Sequence, residues 1–160
     1  MHNKRSSGGF TLIEILVVIG IIAILASIVI IAINPAKQFA QARNSQRTSN
    51  INAILNAIGQ RMADNKGVFA GSFTIGVNSY TCPTIPASDG IDSAGGGTGT
   101  NFACLVPTYL PSLPTDPGTV TAPDTGYTVA VDAAGRVTVC APNAAGESSI
   151  PSPSSICVTR

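Results

Sequence analysis

Apolar and polar positions divide this chain into three regimes. From Phe10 to Ile33 a run of 24 residues carries a single charge, Glu14. A helix needs about 20 apolar residues to cross the hydrocarbon core of a bilayer, so the run predicts a membrane-spanning helix. Past Asn34-Pro35 the apolar positions thin to a stripe, Ile51, Ile54, Leu55, Ile58 and Met62, spaced by three and four residues. That spacing predicts an amphipathic helix, with Lys37, Arg43, Arg47 and Arg61 placed off the stripe. Pro35 cannot bond the carbonyl of Ile31 and disfavours a helical Asn34, which predicts a kink there. Gly67, after Asp64-Asn65-Lys66, is the expected stop. From Phe10 to Asn65 such a helix would measure about 80 Å at 1.5 Å per residue.

The helical period vanishes after residue 67, where Gly, Pro, Ser and Thr become frequent. Val68–Val77 alternates loosely and reads as an extended loop or weak strand. Ala87–Thr100 reads as a flexible Gly-rich loop, and it lacks the Gly-Lys-Ser/Thr ending that a phosphate cradle needs. Phe102–Tyr109 predicts a buried, short helical or irregular segment. Gly126–Asp132 and Arg136–Ala141 alternate cleanly about Asp132–Gly135, the strongest hairpin signal in the chain. Ile156–Thr159 supplies a terminal strand. Together these pieces predict an α+β chain: a long amino-terminal helix packed on a head of three or four antiparallel strands. Ile51, Ile54, Leu55 and Ile58 would face Val129, Val131, Val137 and Val139, or the opposite alternation.

Charge sharpens the division. Lys4 and Arg5 precede the apolar run, which orients the amino terminus to the cytoplasm by the positive-inside rule. Residues 34–66 are net +4 and residues 67–160 net −4, within a chain of 160 residues and net charge +1. A basic stalk and a mildly acidic head suit contacts between subunits of a polymer. The expected organisation is a leader at 1–9, a spanning helix at 10–33, an amphipathic spine at 34–66 and a head at 67–160. The run is too long for the core of a secretory signal and has no Ala-x-Ala after it. No cysteine near it offers a lipoprotein anchor, and a plain transmembrane anchor is the simplest alternative.

About eight buried aliphatic side chains make a thin core, so a head of this size needs staples. Cys82, Cys104, Cys140 and Cys157 all follow the span, an even number in the segment expected outside the cell. Of three possible pairings the local ones, Cys82–Cys104 and Cys140–Cys157, are favoured, each worth about 3 kcal/mol of loop closure. Zinc is the competing use of four cysteines, but no Cys-x2-Cys and no downstream His accompanies them.

Glu14 is the feature that an ordinary anchor leaves unexplained. A carboxylate in a spanning helix costs about 2.5–3.5 kcal/mol on insertion scales and is usually kept for a partner. Gly8-Gly9-Phe10, then Glu14 ahead of a long Ile/Leu/Val/Ala run, resembles the processing site of type IV pilins and pseudopilins. Asn34-Pro35-Ala36-Lys37-Gln38 with Gln41-Ala42-Arg43-Asn44 is similar to the post-membrane segment of many bacterial pilin-like proteins. Tyr109 to Pro117 with Gly126-Tyr127 resembles a run of major pseudopilins, although Gly118-Thr119 replaces the Trp-Gly that commonly follows Asp-Pro.

The resemblance implies the type IV pilin fold and a filament subunit. A prepilin peptidase would cut between Gly9 and Phe10 and methylate the new amine of Phe10. Glu14 would then meet the amino terminus of a neighbouring copy, since a buried charge tolerates low dielectric only with a partner. The implied partners are further copies, other pilins, the peptidase/methyltransferase and an inner-membrane assembly platform. The implied location is the cytoplasmic membrane first and an extracellular filament afterwards. A disulfide-bounded carboxy-terminal region, as in many pilins, implies Cys140–Cys157. Pseudopilins bind calcium in a nearby loop, which makes Asp116 and Asp124 candidate ligands beside their simpler role as turn formers. No other cofactor is implied.

Catalysis has little to build on. His2, the single histidine, would leave with the leader, and no pair of acids sits in a hydrolase context. DNA capture by Lys37, Arg43 and Arg47 is disfavoured because no aromatic residues are interleaved for stacking. The expected role is therefore a pilin, with a pseudopilin of a type II secretion system as runner-up. A non-polymerising membrane-anchored surface protein is the alternative from another class.

Overall fold

Leu12–Ile33 forms helix α1 and Pro35–Asp64 forms helix α2 in the computed structural model, which describes residues 9–118 and 120–160. The leader cations Lys4 and Arg5, His2, and Thr119 lie outside the described residues. The chain forms two compact units, one ending at Gln38 and the other spanning Phe39–Arg160.

In the first unit no residue of α1 is buried by its own chain, and its central stretch has a mean hydropathy of 3.4. The helix fits membrane anchoring by length and composition. It ends at Asn34, which is left-handed (φ 47°). Asn34 also starts α2: its side-chain oxygen accepts from the Lys37 amide at 3.3 Å, and its carbonyl accepts from Lys37 and Gln38. An Asn cap followed by Pro at the first helical position is a strong start signal, so the break belongs to the Asn34-Pro35 pair rather than to Pro35 alone.

In the second unit seven strands follow the helix: β1 (Gly71–Ile75), β2 (Asn78–Cys82), β3 (Asp89–Asp92), β4 (Thr100–Asn101), β5 (Asp124–Val131), β6 (Val137–Ala141) and β7 (Ile156–Thr159). β1 and β2 form a separate hairpin, and the others make one five-stranded sheet in the order β4-β3-β5-β6-β7. All its pairs are antiparallel except β3 with β4. The fold is α+β, with a larger and mixed sheet in place of the three or four antiparallel strands expected.

Val68–Val77 contains the weak strand expected of it, β1, which Gly76 (φ 61°) turns back into β2. One local expectation is corrected. Ala87–Thr100 contains an interior strand and an edge bridge: β3 bonds β5 on one side and β4 on the other. Its glycines are what admit the close approach, since a Cβ on Gly99 would sit 2.6 Å from the Gly90 carbonyl oxygen. The hairpin β5–β6 turns over Asp132–Gly135 as expected, held by the Asp132 carboxylate accepting from the Ala134 and Arg136 amides.

The core sits between α2 and the sheet. Ile51, Ile54, Leu55, Ala57 and Ile58 bury against Tyr127, Val129, Val137, Val139 and Ala141, while Phe69, Phe102, Leu105 and Leu113 close the sides. Val131 is only half-buried, at the end of the pairing. Ile54 is wholly out of water, and truncating such a side chain loses both transfer energy and packing. Ile54→Ala is expected to cost about 2–5 kcal/mol, read as a lowered melting temperature of the detergent-solubilised chain, with Val131→Ala costing clearly less.

Candidate assembly site and the charged cluster of the head

The amino-terminal feature is built by the first turn of α1. Thr11 is its N-cap: the Glu14 amide donates to Thr11 Oγ1 at 3.3 Å, and the Thr11 amide and hydroxyl both donate to Glu14 Oε2 at 2.7 Å. Such a reciprocal box satisfies two helix-end donors and fixes the carboxylate rotamer. Glu14 Oε1 is left without a bond from this box. Gly9 and Phe10 precede the helix without regular secondary structure and are exposed. Phe10 is 84% exposed.

Arg43, Arg47 and Arg61 do not lie off the apolar stripe as expected. Arg47 and Arg61 are buried. Counting back by four from Ile51 gives Arg47 and then Arg43, and counting on by three from Ile58 gives Arg61, so these cations continue the apolar stripe. Arg47 donates through Nε to Asp116 Oδ2 at 2.7 Å and through Nη2 to Asp116 Oδ1 at 3.0 Å, a bidentate pair. Its Nη1 reaches Glu147 Oε1 at 2.6 Å and Asn44 at 2.7 Å. Arg43 grips the same Glu147 carboxylate through Nε at 2.7 Å and through Nη2. Arg61 lies 4.4 Å over the Phe73 ring and donates to the Gly71 carbonyl at 3.1 Å, which holds the β1–β2 hairpin against α2.

These contacts set the ionisation of the cluster. The hydrogen bond from Arg43, helped by Arg47 and opposed by burial, holds Glu147 down to about 2. Burial pushes Asp116 up, but hydrogen bonds from Arg47 and the Gly118 amide outweigh it and leave the carboxyl below its ordinary value. Hydrogen bonding to Asp116 raises Arg47 against the opposing effect of burial.

The structure also places the remaining candidates. Asp116 accepts from Arg47 with both oxygens, and its Oδ1 also accepts the Gly118 amide. Asp124 is exposed and accepts the Gly126 amide at 2.8 Å, as a turn former does. Among the described residues no three His, Cys, Asp or Glu side chains gather to hold a metal ion. Arg43 and Arg47 carry their counter-charges within the chain, and so part of the basic stalk and acidic head neutralise each other internally. Lys37 is partly exposed. Cys82 bonds Cys104, with Cα atoms 5.3 Å apart, and ties β2 to the turn at Ala103–Leu105. Cys140 bonds Cys157, with Cα atoms 4.1 Å apart, across the β6–β7 pair. The loop closed by that second bridge carries Glu147. Sequence reasoning missed Asp116 and Glu147 as partners of Arg47, and the four-residue spacing of Arg43, Arg47 and Ile51 was the available signal.

Comparison with known proteins bears on the amino-terminal segment. Residues 4–32 match the model of the prokaryotic N-terminal methylation motif. The chain carries the class III signal of type IV pilins. Pilins and pseudopilins share this signal, and its match covers Phe10, Thr11, Glu14 and most of α1. No curated protein and no solved structure matches the chain.

Glu147 binds protons less readily in the folded chain than in the unfolded one. Its contribution is complete above the ordinary value of 4.5 and is lost as the pH falls through about 2. The melting temperature is therefore expected to drop between pH 5 and pH 2, with a smaller drop in Glu147→Gln. Arg47→Ala leaves Asp116 buried without a counter-charge and is expected to cost about 3–5 kcal/mol by denaturant unfolding at pH 7.

Proposed function

We propose that the chain is a structural subunit of a type IV pilus or pilus-like filament. A prepilin peptidase removes residues 1–9 and methylates Phe10, and the mature chain polymerises through α1. The observation that carries this reading is the methylation motif at residues 4–32, set on a helix that buries no residue in its own chain. An apolar helix left bare must be covered by lipid or by other helices. Cleavage creates a cationic amine at Phe10, one helical turn from Glu14. In the filament core Glu14 meets the amine of a neighbouring copy, where each charge relieves the burial cost of the other. The subunit works by assembly and is not an enzyme. Before assembly it spans the cytoplasmic membrane with its amino terminus inside, and it engages an inner-membrane platform on the way out. The rest of the chain supports the reading indirectly: a small head stapled by two disulfides suits an oxidising exterior.

Co-expression with and without a prepilin peptidase tests the processing step, the expected product being a chain shortened by nine residues and methylated on Phe10. Assembly is tested by shearing cells and looking for the protein in filaments. Glu14→Ala should still be cut while yielding few filaments, and filament levels equal to wild type would overturn the role given to Glu14. Processed chains that stay in the envelope of a type II secretion host would instead identify a pseudopilin. Full-length monomers that are never cut would identify a plain anchored surface protein.

A further inference from the structure

The Gly-rich loop between β3 and β4 surrounds a carboxylate that nothing in the assembly reading uses. Asp92 closes β3 and is 1% exposed. Its Oδ2 accepts the Gly99 amide at 3.1 Å, while its Oδ1 is buried with no hydrogen-bond partner. None of the ion pairs among the described residues includes it, and residues 93–103 contain no Lys or Arg. Asp132 and Glu147 illustrate the contrast, because each has an arginine at hand. A buried carboxylate oxygen that finds no donor is well satisfied by a cation.

The surroundings are built from oxygen and bare backbone. A Cβ on Gly97 would run into the Asp92 carboxylate. One on Gly99 would lie 2.6 Å from the Gly90 carbonyl oxygen and 3.0 Å from Asp92 Oδ1. Those two oxygens therefore converge on the same short stretch of backbone. Asp89, three residues before Asp92, accepts from the Gly90 amide at 2.8 Å and from Thr100 Oγ1 at 2.6 Å. Each of its oxygens retains further acceptor capacity.

We propose that Asp92 and the glycine loop at 93–99 form a binding site for a hard divalent cation, calcium. Asp92 Oδ1 supplies the anionic ligand, and the Gly90 carbonyl and loop carbonyls supply neutral ones. Calcium fits this donor set better than magnesium, because it accepts six to eight oxygens in a flexible arrangement and sheds water readily. The glycines fit the role as well: they let the backbone close over the ion where any side chain would collide with the carboxylate. The site is distinct from Asp116 and Asp124, and it stands whether or not the chain polymerises.

The test is thermal unfolding of the full chain in detergent, stripped of metal and then given calcium, magnesium or EDTA. Wild type is expected to melt about 5 °C higher in calcium at ten times its dissociation constant, with a smaller shift in magnesium. Asp92→Asn should abolish the calcium shift and Asp124→Asn should retain it. Equal melting in calcium and EDTA would overturn the proposal, and so would a shift that survives Asp92→Asn or disappears in Asp124→Asn. Should Asp92→Asn not fold, calcium titration of wild type followed by amide NMR decides the matter. Shifts that begin at Gly97 and Gly99 support the site, and shifts centred elsewhere overturn it.

Discussion

Arg47 is charged, almost fully out of water, and shared between two carboxylates that come from distant parts of the chain. Removing a guanidinium from solvent is tolerable only when its donors are matched, and here Asn44, Asp116 and Glu147 take them. The consequence is topological. One side chain on α2 fastens the Pro-rich segment before β5 and the loop between β6 and β7 onto the same helix. Asn50, the next polar residue on that face, extends the arrangement by donating to Tyr127 Oη at 2.8 Å and to the Thr115 carbonyl at 3.2 Å. Below this polar end the face becomes aliphatic from Ile51 to Ile58, where the sheet packs. The helix thus aligns the head by paired charge at one end and by apolar burial along the rest.

The two units answer to different solvents. The head pairs most of its buried polar groups and buries an apolar core of its own. In α1 the aliphatic side chains are all exposed, and the one carboxylate is held by the turn that starts the helix. A sequence written this way is stable only where lipid or neighbouring helices replace water. Asn34 both ends α1 and caps α2.

How much of this could be read in advance depended on range. α1 was legible because run length alone decides it, and β5, β6 and β7 because alternation and turn chemistry are local. The stripe on α2 was legible too, although Arg43, Arg47 and Arg61, expected off it, have the spacing that continues it. β3 was not legible: Asp89-Gly90-Ile91-Asp92 has little strand character, and its conformation comes from pairing with β5, more than thirty residues away. The partners of Arg47 lie 69 and 100 residues downstream, beyond the reach of any local pattern. At the amino terminus the motif was fully local, which is why the candidate assembly residues could be named from the sequence while the charged cluster could not.

The Cys140–Cys157 bridge joins directly paired residues at the mouth of the loop that carries Glu147. Oxidation therefore shortens the search that Glu147 must make for the two arginines, because the loop ends are already together when the carboxylate arrives. In a reducing compartment the same contact must be won against the full freedom of that loop, and a newly made chain there holds its head together less firmly.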